Sequence, residues 1–115
     1  MLRGSEKQIA WAEDIIEKFK QTVKAFKESL NNEDSLISSN EAEQATAIVD
    51  EFVEMLKNQH AGFIIDHKNA LTDQESYKIY DGTIGTQNIQ KHVVATINHI
   101  RCEAERYDEN GQMKW

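Results

Sequence analysis

The residues of this chain that are best suited to metal chemistry are His99, Cys102 and Glu103. In a helix these spacings place an imidazole, a thiol and a carboxylate on neighbouring turns, so that they could approach a common point. A zinc site normally takes ligands from two chain segments, and His60 and His67 lie in a stretch whose patterning is ambiguous. We therefore expect no bound metal and no other cofactor.

Enzymatic chemistry has less support. Cys102 would need activation by a base, and His99, one turn away on the same helix, forms with it a pair that rarely opens into a cleft. The carboxylates are mostly opposed by lysines, which is typical of solvated helix faces. The segment DGTIGT at 81–86 has two glycines but lacks the lysine of a nucleotide-binding loop. We expect no enzymatic activity and no catalytic residue.

The charge balance indicates what kind of partner the chain can bind. Twenty acidic and thirteen basic residues among 115 give a formal net charge of −7, which repels nucleic acid and attracts basic surfaces. A basic strip on the first helix is interleaved with acids; it consists of Lys18, Lys20, Lys24 and Lys27. We expect a protein partner, such as a basic nucleic-acid-binding protein. A nucleic-acid-associated module is an alternative.

Composition predicts one folded domain over residues 1–115, since hydrophobic residues make up 39% and charged residues 29% of the chain. No apolar run approaches the roughly 18 residues that a membrane span needs, and the N-terminal residues lead directly into a charged helix. A single cysteine suits a reducing compartment. We expect a cytoplasmic protein without a membrane segment.

The elements that position these residues are three long amphipathic helices. The first, over 5–30, starts at a Ser5–Gln8 capping box and has an apolar seam at alternating spacings of three and four: Ile9, Ala12, Ile16, Phe19, Val23, Phe26 and Leu30. The second covers 40–58 with Asn40 as its cap, and the third covers 86–107 with Thr86 as its cap. A loose tail follows over 108–115. This pattern predicts an all-α helical bundle.

The stretch 61–85 is predicted to hold short elements and a loop. Its apolar run Phe63–Ile65 fits either a short strand or a helical turn, and a hairpin stays open. Thr72 followed by Glu75 has the spacing of a capping box, which favours a short helix over Asp73–Tyr80. We prefer short helices here because the surrounding chain is helical.

The length of the first helix suggests an oligomer. A helix over 5–30 would be about 39 Å long, more than a compact domain of this size readily covers. We therefore expect a homodimer with the surplus seam at its interface.

The segment LRGSEKQIAWAEDI, Leu2–Ile15, resembles an N-terminal motif of small uncharacterised proteins from bacteria, their phages and mobile elements. AGFIIDHKN, Ala61–Asn69, is similar to a second motif of those proteins. The resemblance implies the setting of a small accessory protein. Many short acidic chains in that setting inhibit host defence, including CRISPR-type complexes. It implies no catalytic residue and no cofactor.

The two motifs suggest a physical connection. Trp11 lies beside the main seam, and the cluster Phe63–Ile65 can pack against it as an ordinary core contact. In a functional interpretation Trp11 is the floor of a pocket with a polar rim. Together with acids of the first helix, the candidate interaction residues are Trp11, Glu13, Asp14, Glu17, Phe63, Asp66, His67 and Lys68.

The preferred function is a non-enzymatic acidic accessory protein that binds and blocks a protein partner, such as a host defence complex. An oligomeric protein that binds or sequesters a small ligand, such as a nucleotide, is an alternative.

Overall fold

The computed structural model describes residues 1–33, 35–79 and 82–107. These residues form five α-helices and no β-strand, which confirms the all-α prediction. The helices are α1 Glu6–Leu30, α2 Ser39–Lys57, α3 Ala61–Asp66, α4 Lys68–Thr72 and α5 Thr86–Ala104. In the described part of the chain, no helix has both the length and the apolar character needed to cross a membrane.

The long helices overlap the predicted ones, with differences at their ends. The predicted capping box at Ser5 is present, because its hydroxyl accepts from the backbone N–H of Gln8 and the Gln8 side chain accepts from the N–H of Ser5. The cap of α2 is Ser38 instead of Asn40. Gly85 precedes α5, so Thr86 is its first helical residue and not its cap, and α5 ends at Ala104. The predicted loose tail lies outside the described residues.

The middle of the chain is helical only in its first part. Helices α3 and α4 agree with the preference for short helices, but the predicted helix over Asp73–Tyr80 is wrong for the described residues 73–79. The Asp73 carboxylate accepts from the backbone N–H groups of Glu75 and Ser76 at 3.0 and 3.1 Å, which folds the chain into a turn. Such side-chain bonds compete with helical ones. Tyr80 lies outside the described residues.

Helix α1 is the central element, since all four other helices pack against it. Its seam is buried against them from Ala12 to Leu30, and the rings of Phe19 and Phe52 meet edge to face with centroids 5.6 Å apart. The surplus seam from which a homodimer was predicted is therefore covered within one chain.

The N-terminal residues are held against the connection between α2 and α3. The backbone N–H of Arg3 donates to the carbonyl of Gln59 at 3.3 Å, and the N–H of Ala61 donates to the carbonyl of Arg3 at 2.6 Å. Gly4 has a φ of 138°, and a Cβ there would lie 2.9 Å from the Gln8 side-chain oxygen and 3.3 Å from the Ala61 Cβ. The segment Leu2–Ile15 thus meets the start of the segment Ala61–Asn69 at this point.

Candidate functional site

Trp11 is an exposed aromatic residue on the central helix. Half of its surface is accessible, at 50%, and the ammonium group of Lys68 lies 5.7 Å from its ring centroid. The packing of α4 against α1 brings this lysine over the ring. A cation at this distance from an indole is weakly attracted to it. We call Trp11 and Lys68 the Trp11 surface.

The other residues of the predicted pocket are placed differently. Phe63 is 1% exposed, and its ring packs against those of His67 and Tyr107 with centroids 4.4 and 4.9 Å away. Phe63 is thus a core residue that does not face a partner. Asp66 is exposed. Lys68 is the predicted rim residue that reaches the indole ring.

The predicted acids of α1 lie on the exposed side of the helix. Asp14 pairs with Lys18 at 3.5 Å, and Glu17 pairs with Lys20 at 3.6 Å. Glu13 is also exposed. Exposed pairs of this kind contribute little to stability and open readily to other partners. Asp14, one turn from Trp11, is therefore the acid beside the Trp11 surface, whereas Glu13 and Glu17 line a groove on another face of α1.

The basic strip is largely neutralised. Besides the two pairs above, the ammonium group of Lys27 lies 2.7 Å from the carboxylate of Asp50. A groove of about 620 Å³ between α1 and α2 is lined by lysines, but also by Glu28, Asp50 and Glu54. This mixture of charges disfavours a polyanion, which needs unopposed cations along its length.

A second group of side chains lies between the α3–α4 joint and the end of α5. We call His67, His99, Glu103 and Tyr107 the histidine cluster. His67 Nε2 lies 3.9 Å from Glu103 Oε2, and the His67 and His99 ring centroids are 6.1 Å apart. Cys102, which the sequence placed with His99 and Glu103, is exposed. His67, from a second chain segment, lies near His99 and Glu103 instead.

The histidine cluster lies in a partly covered space. The side chains of His67 and Glu103 are 10% and 23% exposed. Burial, followed by the negative charges of Asp66 and Glu103, raises the pKa of the Tyr107 hydroxyl above its ordinary value of 10.0. Among the described residues, no three His, Cys, Asp or Glu side chains are already placed to hold a metal ion.

Further along α5, His92 packs against Tyr77 with ring centroids 5.2 Å apart. The hydroxyl of Tyr77 shares a buried hydrogen bond of 3.2 Å with that of Thr22. The hydroxyl of Ser76 donates to Asp73 and lowers the pKa of its carboxyl below the ordinary 3.8; burial opposes this effect, and nearby backbone N–H groups and His92 add to it. These contacts fix the chain between α4 and α5.

An apolar groove separates α2 from α5, which both pack on α1. It has a volume of about 220 Å³, and its walls include Ile48 and Val94, two exposed apolar side chains. It is smaller than typical ligand pockets, which begin at about 300 Å³.

Comparison of the chain with models of protein families, with curated proteins and with solved structures finds no match.

The proximity of His67 to Glu103 was not predicted from the sequence. The sequence places His99 and Glu103 on one helix face and His67 within the second motif, but it does not indicate that the two segments meet. The packing of the α3–α4 joint against α5 brings them together.

Proposed function

We propose that this chain is a non-enzymatic accessory protein that binds a protein partner through the Trp11 surface. The observation that carries the proposal is the half-exposed indole of Trp11. Other large side chains of α1, such as Phe19 and Phe26, are buried. Tryptophan is among the residues that contribute most to binding energy at protein interfaces, because it buries a large rigid area.

The net charge of the chain supports a basic partner. It is formally −7, and one exposed carboxylate, that of Asp14, lies one turn from Trp11 on α1. Complementary charge of this kind accelerates association and excludes acidic competitors. We propose basic nucleic-acid-binding proteins, including components of host defence complexes, as the partner class to test first. In this proposal α1, α2 and α5 act as a helical bundle that presents the surface.

The test is affinity capture of such proteins on immobilised wild-type chain and on Trp11→Ala. The variant should fold normally, because only half of the indole is buried, yet it should lose at least about 2 kcal/mol of binding, roughly a thirtyfold weaker Kd. Leu36→Ala is the matched control, since Leu36 is an exposed apolar residue elsewhere. It should bind like the wild type.

Two results would contradict the proposal. The first is an unfolded Trp11→Ala variant, which would make the indole a structural residue. The second is a partner that binds both variants equally well. A charge-reversal variant, Asp14→Lys, tests the basic-partner class separately, because it should slow association and reduce its dependence on salt.

A further inference from the structure

His67 is a residue whose two ring nitrogens both face oxygen atoms. Nδ1 lies 2.8 Å from the carbonyl oxygen of Phe63, and Nε2 lies 3.9 Å from a carboxylate oxygen of Glu103. The carbonyl only accepts hydrogen bonds, so Nδ1 carries the proton. In a neutral ring the Nε2 lone pair then faces an anion. This contact becomes favourable when a metal ion lies between them.

The environment of Nδ1 favours the metal ion. A metal-binding histidine usually donates its other N–H to a backbone carbonyl or a carboxylate, which fixes the ring and its tautomer. The Phe63 carbonyl is in that position. The Phe63 ring packs against the imidazole as well. His67 is thus held with Nε2 directed at Glu103 before any ligand arrives.

Helix α5 supplies the remaining ligand types from two consecutive turns. His99 and Glu103 are one turn apart on the same face, and the His99 ring already lies beside that of His67. Ligand atoms around a tetrahedral Zn²⁺ lie about 3.3 Å apart, and two imidazoles that share the ion have ring centres about 5 Å apart. The observed separations are 3.9 and 6.1 Å. Each exceeds the required one by about 1 Å or less.

We propose that His67, His99 and Glu103 form a binding site for one divalent transition-metal ion of the Zn²⁺ type. The ligand atoms are not converged as they stand, so the site closes when the ion binds. His99 is exposed and free to rotate its ring toward His67. Two imidazoles and one carboxylate suit Zn²⁺ and Co²⁺, whereas Mg²⁺ and Ca²⁺ prefer oxygen ligands alone.

The neighbouring charges are compatible with this site. Arg106 lies 3.6 Å from Oε1 of Glu103, which leaves Oε2 directed at His67. Apart from Glu103, the carboxylate of Asp66 also acts on Tyr107. The exposed side of His99 leaves room for water as the fourth ligand, as in zinc sites with three protein ligands.

The experiment is a calorimetric titration of the untagged full chain with Zn²⁺ near pH 7.5. We expect one ion per chain. His99→Gln and Glu103→Gln should each weaken binding at least about tenfold. Loss of a residue that only hydrogen-bonds a metal ligand already weakens metal binding by that much, and loss of the ligand itself should cost no less. Glu105→Gln is the matched control, since Glu105 is an exposed carboxylate two residues after Glu103 and on another face. It should bind Zn²⁺ like the wild type.

A Co²⁺ spectrum tests the ligand set independently. Tetrahedral Co²⁺ bound by nitrogen and oxygen should give visible bands without a thiolate charge-transfer band, and Cys102→Ser should leave the spectrum unchanged. Absence of binding by the folded chain would overturn the proposal. Binding that survives in both ligand variants, or that requires Cys102, would overturn it as well. Trp11→Ala should leave Zn²⁺ affinity unchanged, which separates this site from the Trp11 surface.

Discussion

Two consecutive residues, His67 and Lys68, serve different regions of the molecule. His67 points at α5 and is largely covered, whereas Lys68 reaches α1 and lies over a half-exposed indole. The first contact has restricted geometry, with both nitrogens opposite oxygen atoms. The second is a loose contact between a flexible cation and an aromatic face. One short joint thus orders a histidine cluster on one side and leaves a surface accessible on the other.

The largest expected effect comes from replacing Phe63, beside His67, and Trp11, beneath Lys68, by alanine. Phe63→Ala removes a fully buried ring beside His67 and should reduce the free energy of unfolding by about 3–5 kcal/mol. Trp11→Ala should cost about 1.5–2.5 kcal/mol, roughly half of what a fully buried tryptophan costs, because half of its surface is already in water. Chemical denaturation measures both. Equal losses would show that the Trp11 surface is part of the core.

The next largest effect is expected at Gly4, which precedes α1 and adjoins the start of α3. Gly4→Ala forces an L side chain to a φ of 138° and against Gln8 and Ala61, so it should destabilise the fold by about 1–3 kcal/mol. Gly82→Ala is a useful control, since its φ is also positive but nothing lies within 4 Å of the added Cβ. A smaller loss there would separate the steric cost from the backbone cost.

A further test concerns the buried hydrogen bond between the hydroxyls of Thr22 and Tyr77. Tyr77→Phe leaves the Thr22 hydroxyl buried without this partner and should cost about 1–2 kcal/mol. Adding Thr22→Val removes the stranded hydroxyl and should recover part of the loss. A double-mutant cycle from thermal unfolding gives the coupling. Additive losses would mean that the two hydroxyls do not depend on each other.

The smallest expected effect concerns acid stability at Asp73. Its pKa is lower in the folded chain than the ordinary 3.8, so its contribution is present above about pH 4 and is lost as pH falls through the lowered value. Asp73→Asn should therefore flatten the decline in stability below about pH 4 by a small amount. Denaturation midpoints across this range measure it. If the pH dependence of the denaturation midpoint is unchanged in the variant, Asp73 does not contribute to the loss of stability in acid.

The helices were predictable because their causes are local. Alternating spacings of three and four put Ile16, Phe19 and Val23 on one face, and Ser5 with Gln8 fixed the start of α1. The predicted helix after Thr72 is wrong because another local interaction competes with the capping box. The Asp73 carboxylate accepts hydrogen bonds from the backbone N–H groups of Glu75 and Ser76, which form a turn. Sequence spacing alone does not decide between the two.

The candidate sites were predictable only in part. Trp11 and Lys68 were named because they lie off the seam and beside an apolar cluster, and α4 does bring them together. His99 and Glu103 share a helix, so their proximity was evident. The approach of His67 depends on how the α3–α4 joint packs against α5, a long-range contact that no local pattern encodes.

The pairing of Arg3 with Gln59 and Ala61 has a consequence for how the chain opens. These hydrogen bonds close the segment that contains all of α1 and α2. The amide of Ala61 can exchange its hydrogen with water when this closure is released, even if both helices stay intact. Its exchange rate therefore reports a local opening at the N-terminus, whereas the amides in the middle of α1 report loss of the whole core.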